Sequence, residues 1–421
     1  MNEMNAFDRI IGYDDIKAEL EELGDVLKHT EKYKAAGIRT PRGLLISGKP
    51  GIGKTLMAKC LIEASGRPHF LCRKTEGKEK FAENIREVFR KAEEAAPSVV
   101  LLDDMDKFSN EDEWHPNSDE FITIQSCIDE IDGEVFVIAT ANDLNALPDS
   151  LIRRGRFDRK LQIPEPDHEA AVKIVRHYLD EKPSIGNVDA ELIASILNGE
   201  SCAALETIIN EAGIYAVRAN RTAIETGDML KACVRVLYDA PAALSPAMEA
   251  HINKIAYHEA GHALIAEIQN PGSVPLVSVC QGTGSIGGIT TAVNVNDCYI
   301  FSKADVEKSI RTALGGKAAI ELVFGETDMG AADDLRAAAI MATRLMEVQS
   351  FSGFGRRGFA CSELTQTRRE ESLEREVQRY YGEARQMLAE NREQLDRLAQ
   401  MLVEKKIVIR DDLRKMKLLA A

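Results

Sequence analysis

Short apolar segments alternate with longer amphipathic ones over the first 165 residues. The apolar segments are Gly43–Ser47, Val99–Leu102 and Val135–Ala139, and helical patterns lie between them. Strands that are covered on both faces are typically continuous apolar runs, whereas half-exposed strands alternate between apolar and polar residues. The pattern therefore predicts an α/β subdomain over residues 1–165, in which helices cover both faces of a parallel sheet.

Only helical patterns follow this subdomain. From about Glu169 to Tyr238 apolar residues recur at spacings of three and four, as in an amphipathic helix. Two prolines and several small residues in Asp239–Pro246 indicate a linker. The rest is mainly helical, but Asn270–Asp297 is rich in Gly, Val and Thr, which predicts strands and turns. We therefore predict an all-helical lid at 166–238, a linker at 239–248 and a mainly helical domain at 249–421.

An apolar stripe runs through the charged C-terminal segment. Its members are Leu373, Val377, Ala384, Leu388, Leu395, Leu398 and Leu402. Such a stripe could be a coiled-coil surface for a partner or the core-facing side of ordinary helices. The span is short for a coiled coil, so the core interpretation is favoured.

Composition narrows the classes of function. Hydrophobic residues make up 44% and charged residues 29%, which is typical of a folded globular protein. The 68 acidic against 53 basic residues give a net charge of −15, which disfavours binding to nucleic acid or to an anionic membrane. No window approaches the roughly 18 apolar residues of a membrane helix, and the N-terminus does not have the pattern of a secretory signal. Eight cysteines without a C-x-x-C pair indicate reduced thiols and a cytoplasmic location.

A phosphate-binding loop follows the first predicted strand. The motif G-x-x-x-x-G-K-T is matched by Gly48, Lys49, Pro50, Gly51, Ile52, Gly53, Lys54 and Thr55. Glycines let backbone N–H groups surround phosphate oxygens, and the N-terminus of the following helix adds partial positive charge. We expect Lys54 to reach the β- and γ-phosphates of ATP and the Thr55 hydroxyl to bind Mg²⁺.

Two acids end the second apolar segment. Asp103 and Asp104 directly follow Val99–Leu102, where a nucleotide-hydrolysing protein needs an acid beside Mg²⁺. We therefore expect Asp103 to lie on the metal side and Asp104 to orient the attacking water.

A second motif indicates a zinc site. His258 and His262 form H-E-x-x-H with Glu259 between them; on a helix, residues four apart share one face, so both imidazoles can hold one ion. Glu259 would lie beside the metal and take a proton from the attacking water. Catalytic zinc needs a third protein ligand, and the residues alone leave Asp328, Asp333 and Asp334 open.

The combined motifs resemble the FtsH family of AAA+ ATP-dependent zinc metalloproteases. The resemblance extends from about Phe7 to the C-terminus and is carried by segments that include GKPGIGKT, VVLLDDMD, LIRRGRFDRKLQIPEPD, AYHEAGHAL and GAADDLRAA. It implies a homo-oligomeric, hexameric ring with Zn²⁺, ATP and Mg²⁺, in which an ATPase tier threads polypeptide substrates into a peptidase tier.

The resemblance also implies roles for individual residues. Ile11 and Gly12 would touch the adenine, and Asn142 would place the water against the γ-phosphate. Arg153 and Arg156 would be arginine fingers that reach the ATP of a neighbouring subunit. Asp334 would be the third zinc ligand. Gly288–Val293 would be an edge strand that pairs with extended substrate, although an ordinary buried hairpin is an equal alternative.

Three features depart from the family pattern. The family is normally anchored by N-terminal membrane helices, whereas this sequence begins at the ATPase domain. We therefore expect a soluble form or a chain cut after the anchor. Asp104 stands where the family has Glu, and the shorter side chain should slow hydrolysis. The pore loop should carry an aromatic–apolar–glycine motif, but Thr75–Phe81 is TEGKEKF, in which only Phe81 could grip a substrate.

These observations favour an ATP-dependent zinc metalloprotease. One alternative is a zinc peptidase whose ATPase tier assembles or gates the ring but threads weakly. Another is a AAA+ remodelling chaperone with structural zinc, which the presence of Glu259 disfavours because a structural site needs no base.

Overall fold

The computed structural model describes residues 5–74, 81–109, 119–131, 134–182, 185–238, 246–280, 288–291, 302–327, 331–349 and 363–416. Contacts divide the chain into two compact units, one of residues 1–183 with 198–207 and the other of 184–197 with 208–421. The predicted lid contributes to both units. Most of the predicted linker, residues 239–245, lies outside the described part, and the domain boundaries drawn from the sequence remain predictions.

A five-stranded parallel sheet forms the centre of the first unit. In chain order its strands are β1 (Gly43–Ser47), β2 (His69–Cys72), β3 (Ser98–Leu102), β4 (Val135–Ala141) and β5 (Arg159–Gln162). Their spatial order is β2-β3-β4-β1-β5, and all four pairings are parallel. The loops after β1 and β3 therefore lie at the same edge of the sheet, which brings the phosphate-binding loop close to Asp103 and Asp104.

Helices cover both faces of this sheet. They are α1 (Asp14–Lys28), α3 (Lys54–Ser65), α4 (Phe81–Glu94) and α5 (Asp119–Glu130), and the short α2 (Thr30–Ala35) follows α1 without burying a side chain. Alternate strand residues face opposite layers: Leu44 and Ile46 pack in the core that α1 and α3 cover, whereas Leu45 packs in the core that α4 and α5 cover.

Phe81 begins α4 and belongs to this core. Its side chain is only 5% exposed and packs edge-on against Phe108, with ring centroids 5.1 Å apart. A buried ring cannot contact a passing substrate, so Phe81 does not supply the aromatic grip that the sequence left open. The other residues of the predicted pore loop, 75–80, lie outside the described residues.

Four helices follow the sheet. They are α6 (His168–Asp180), α7 (Ala190–Ile196), α8 (Cys202–Arg218) and α9 (Thr226–Tyr238). Asp167 and Asp189 cap α6 and α7 by accepting backbone N–H groups at 2.7 and 3.0 Å, as N-cap side chains do. The all-helical prediction for this region is confirmed.

The second unit also contains the mainly helical domain predicted from the sequence. Its helices are α10 (Pro246–Gln269), α11 (Lys303–Ala313), α12 (Gly315–Phe324), α13 (Ala332–Gln349), α14 (Glu363–Glu390), α15 (Arg392–Lys405) and α16 (Arg410–Lys415). A small antiparallel sheet accompanies them, with β6 (Leu276–Ser278) between β7 (Ile289–Thr291) and β8 (Ile407–Ile409). The strands expected in Asn270–Asp297 are thus present in its described part.

The C-terminal stripe lies in the core. Ala384, Leu388, Leu395, Leu398 and Leu402 are fully buried against α10 and its neighbours, and the other two members pack against them. The core interpretation is therefore confirmed. Among the described residues, no helix combines the length and apolar character that a membrane span requires.

Two strands of the large sheet were missed by the sequence pattern. β2 and β5 lie at its two ends and are largely exposed. A strand at the end of a sheet needs no continuous apolar run, so neither stands out by composition.

Candidate ATP site and metal centre

The phosphate-binding loop connects β1 to α3 and is organised around Lys54. This ammonium donates to the Gly48 and Lys49 carbonyls and to Asn142 Oδ1, each at 2.8 Å. Lys54 is 6% exposed, and its burial lowers its pKa although nearby Asp104, Asp106 and Asp103 act in the opposite direction. The three side chains Lys54, Asn142 and Asp103, predicted from separate segments, are thus brought together.

Asp103 and Thr55 form the expected metal-side pair. The Thr55 hydroxyl donates to Asp103 Oδ1 at 2.8 Å, and the Thr140 hydroxyl donates to the same oxygen at 2.9 Å. A hydroxyl beside a carboxylate at the start of the helix is the oxygen donor set that a nucleotide-bound Mg²⁺ uses. The chemistry of these residues therefore fits ATP with Mg²⁺.

Asp104 is engaged by two cations. Its Oδ2 accepts Lys107 Nζ at 2.7 Å and lies 3.5 Å from the Arg73 guanidinium. Burial disfavours ionisation of this carboxyl, but Lys107, Arg73 and Lys54 outweigh burial and lower its pKa. The backbone N–H of Asp104 donates to the Thr140 hydroxyl at 2.8 Å. Asp104 is therefore held ionised beside the loop, with one oxygen occupied by lysine.

A cleft of about 310 Å³ adjoins the loop. Ile11, Gly51, Ile52 and Gly53 contribute to its lining, together with Tyr178 of α6. A largely apolar cleft beside a phosphate-binding loop suits a purine ring. Gly12, also expected here, lies instead against Ala170 of α6. Two other residues of the phosphate-binding loop, Lys49 and Pro50, do not line this cleft, and the Lys49 side chain forms an ion pair with Glu165.

The two predicted arginine fingers differ in their surroundings. Arg153 is exposed. Arg156 is buried, and its guanidinium donates to both carboxylate oxygens of Asp129, at 2.8 and 2.5 Å, and to the Ser150 carbonyl. Arg156 therefore already has a structural partner in its own chain, whereas Arg153 is accessible.

The metal centre lies where α10 faces α13. His258 Nε2 and His262 Nε2 lie 3.1 and 3.3 Å from Asp334 Oδ2 and 3.1 Å from each other. Tetrahedral zinc with bonds of about 2.0–2.2 Å separates its ligand atoms by about 3.3–3.6 Å. The separations of the three donors lie at or about 0.2 Å below this range, and their His₂Asp chemistry is that of a zinc site with an open position.

Surrounding groups orient the ligands. His262 Nδ1 lies 2.7 Å from the carbonyl of Thr312 in α11, which fixes its ring and leaves Nε2 for the metal. Burial acts against the imidazolium, but Asp334, Glu259 and this carbonyl raise the pKa of His262 to about 9. Burial likewise opposes the Asp334 carboxylate, yet the two histidines lower its pKa well below the usual range.

Two glycines at the start of α12 make room for the histidines. A Cβ at Gly315 would lie 2.7 Å from the Gly261 carbonyl oxygen, and one at Gly316 would lie 2.5 Å from both imidazoles. Side chains at these positions would therefore separate α10 from α12 or displace the rings. This requirement was not predicted from the sequence, although a Gly-Gly pair within an otherwise helical pattern is a usable signal.

The predicted base and third ligand are distinguished by their neighbours. Glu259 is 4% exposed and accepts hydrogen bonds from the β7 segment. Asp334 faces the histidines, whereas Asp333 is 85% exposed and pairs with Arg336. Asp328, the remaining candidate, lies outside the described residues.

Glu267, the other acid near the motif, accepts the Gly272 and Val274 N–H groups in the turn after α10.

Comparisons with known proteins agree with both sites. Residues 44–165 match the model of the ATPase family associated with various cellular activities (AAA), and residues 247–416 match Peptidase family M41. The chain is 30% identical to "ATP-dependent zinc metalloprotease FtsH 2" of Thermoanaerobacter sp. (strain X514), over 97% of this chain and 82% of the relative.

Two further relatives give the same result. The chain is 32% identical to "ATP-dependent zinc metalloprotease FtsH 2" of Symbiobacterium thermophilum, over 97% of this chain and 74% of that protein. It is also 32% identical to "ATP-dependent zinc metalloprotease FtsH" of Lancefieldella parvula, over 96% and 67%. With the phosphate-binding loop beside Asp103 and a His₂Asp centre beside Glu259, these matches show that the chain belongs to the FtsH family of AAA+ ATP-dependent zinc metalloproteases.

Proposed function

We propose that this chain cleaves polypeptides at the His258–His262–Asp334 centre and couples that cleavage to ATP hydrolysis at the phosphate-binding loop. The observation that carries the proposal is the convergence of three zinc-type donor atoms, 3.1–3.3 Å apart, next to a buried carboxylate. A purely structural zinc site has no use for such a carboxylate, so the chaperone alternative is disfavoured.

Each group at the metal centre has a defined task in this proposal. Zinc, when bound, supplies a Lewis acid that polarises the scissile carbonyl. His258, His262 and Asp334 hold it, and the Thr312 carbonyl keeps the His262 ring oriented. Glu259 accepts the proton of the attacking water as the new C–O bond forms and passes it to the leaving nitrogen as the C–N bond breaks.

The ATPase roles follow from the contacts of the loop. Lys54 would move from the Gly48 and Lys49 carbonyls to the phosphates, while Thr55 and Asp103 hold Mg²⁺. Asn142, which accepts a hydrogen bond from Lys54 at 2.8 Å, is placed to contact the γ-phosphate or its water. Ile11 would border the adenine, and Gly12 would support it from its position against Ala170 of α6.

We propose that the active assembly is a homo-hexameric ring. AAA proteins oligomerise as a family, and the exposed Arg153 would complete the ATP site of the adjacent subunit. Arg156 would be the second arginine finger, and it could reach that site only after its ion pair with Asp129 breaks. The cytoplasmic location remains a proposal; it rests on ATP as co-substrate and on the single, unpaired thiols of the described cysteines.

The contacts of Asp104 favour weak threading within this function. Its shorter side chain and its ion pair with Lys107 both restrict the carboxylate that should orient water. Phe81 is part of the core and cannot grip a substrate. We therefore propose efficient cleavage of unstructured polypeptides and poor cleavage of stably folded ones.

The catalytic assignment is tested by Glu259→Gln. The amide keeps the shape but cannot accept a proton, so cleavage of casein should fall by at least about 100-fold, the usual contribution of a general base. Zinc content and ATP turnover should stay near those of the unmodified chain. Undiminished cleavage would remove Glu259 as the base.

The third ligand is tested by comparing neighbouring aspartates. Asp334→Ala should lower zinc occupancy and casein cleavage together, because two histidines hold zinc poorly. Asp333→Ala is the matched control, since its exposed carboxylate pairs only with Arg336 among the described contacts. Metal content measured by mass spectrometry decides, and equal losses in the two variants would contradict the assignment.

Subunit mixing tests the arginine finger. Arg153→Ala and Lys54→Ala should each suppress ATP turnover, but their mixture should regain part of it, because some interfaces then combine an intact finger with an intact loop. The control mixes Lys54→Ala with the Lys54→Ala/Arg153→Ala double variant, which has no intact loop. If subunits exchange and the first mixture stays as inactive as the control, Arg153 does not act between subunits.

Release of Asp104 should increase ATP turnover. An exposed ion pair contributes about 0.2–1 kcal/mol, so Lys107→Ala should raise the rate by up to about fivefold, and Asp104→Glu should raise it as well. Lys91→Ala removes an exposed ion pair with Glu87 within α4 and should leave turnover unchanged. A decrease in Lys107→Ala would show that the lysine assists hydrolysis.

A further inference from the structure

Both carboxylate oxygens of Glu259 are held by one short segment. The Thr290 hydroxyl donates to Oε2 at 2.7 Å, and the Gly288 backbone N–H donates to Oε1 at 3.1 Å. The Thr290 hydroxyl also lies 3.2 Å from the Glu259 carbonyl oxygen. Hydrogen bonds to an ionised carboxylate are shorter and stronger than neutral ones, so this segment fixes the rotation of the carboxylate.

The segment also packs tightly against the base. A Cβ at Gly288 would lie only 2.4 Å from Glu259 Cγ and 2.4 Å from the Ser278 carbonyl oxygen. Glu259 is 4% exposed, so little space remains for another rotamer. The position of β7 and the orientation of Glu259 are therefore mechanically linked.

Within β7 the two threonines have different partners. Side chains alternate between the faces of a strand, and only Thr290 reaches Glu259. The neighbouring Thr291 hydroxyl donates to the Leu276 carbonyl of β6 at 2.9 Å. The chain thus provides a matched pair of hydroxyls, one on the base and one within the sheet.

Among the described strands, β7 lies at the end of its sheet. One side pairs with β6, in the register Thr290 to Val277 and Thr291 to Leu276. No strand of the described residues pairs with its other side, and an extended polypeptide that pairs with such an edge does so by strand addition. A substrate added there would immobilise the same residues that hold Glu259.

We propose that Thr290 is a positioning residue that orients Glu259, and that pairing of an extended substrate with β7 fixes this orientation. The inference rests on the proposed protease function and adds a coupling between substrate binding and the base. Thr290 and Gly288 each donate to one carboxylate oxygen of Glu259 and so occupy one lone pair on each oxygen. The lone pairs that remain free to accept a proton therefore have a fixed direction. Substrate binding then places the base as well as the scissile bond.

The test compares hydroxyl variants in the full chain, with saturating ATP and an unstructured peptide substrate. Thr290→Val keeps the size of the side chain and removes the donor; kcat should fall about tenfold or more, while KM, zinc content and ATP turnover stay within about twofold. Thr290→Ser restores the donor and should recover most of kcat. The loss in Thr290→Val should exceed that in Thr291→Val by about tenfold.

Several results would overturn the inference. They are an unchanged or raised kcat in Thr290→Val, a loss confined to KM, an equal loss in Thr290→Ser, or a fall in zinc content that accounts for the lost activity. If Thr290→Val does not fold, Thr290→Ala is assayed against Thr291→Ala by the same criteria. An unmodified chain that cleaves no peptide would refute the protease function itself, whereas normal cleavage with no effect of Thr290→Val refutes only the positioning role.

Discussion

The burial of polar groups on α10 is the constraint on which the metal centre depends. Glu259 and His262 are 4% and 8% exposed, and an unpartnered buried polar group costs about 1–3 kcal/mol. Their partners come from elsewhere in the unit: Asp334 on α13, the Thr312 carbonyl on α11, and the segment that contains β7. These elements must therefore converge on α10 for the domain to be stable, and this convergence creates the site.

Close helix packing sets the geometry of that convergence. Gly261 and Gly315 allow the backbones of α10 and α12 to approach, and Gly316 leaves space for both imidazoles. The side chains of the C-terminal stripe belong to the same core as the buried residues of α10. The glycines at these contacts therefore let α10 be buried without obstructing its ligands.

The same constraint applies at the ATP site, where the buried group is a cation. Here a buried ammonium, Lys54, is satisfied by two loop carbonyls and Asn142, and the nearby acids offset part of its desolvation. Lys107 and Arg73 in turn neutralise Asp104. The charged groups of this site are therefore in contact with one another, and a bound nucleotide with its metal ion would replace some of these contacts.

Much of this molecule was predictable from local patterns. The phosphate-binding loop, Asp103 and the two histidines are recognisable because their chemistry depends on residues close in sequence, held by one turn or one helix. The buried strands β1, β3 and β4 and the helical lid were equally clear, because burial on both faces or along one helix face leaves a periodic apolar signal. The exposed end strands β2 and β5 lack that signal and were missed.

The sequence by itself determined two chemistries, nucleotide phosphate binding and zinc binding, and the helices and strands that carry them. Only the tertiary structure decided which aspartate meets the histidines, because Asp333 and Asp334 are adjacent in sequence and differ only in the direction they face on α13. It also decided that Phe81 belongs to the core, that Arg156 is bound to Asp129, and that Thr290 reaches Glu259. Each of these depends on contacts between segments distant in sequence, which local periodicity does not encode.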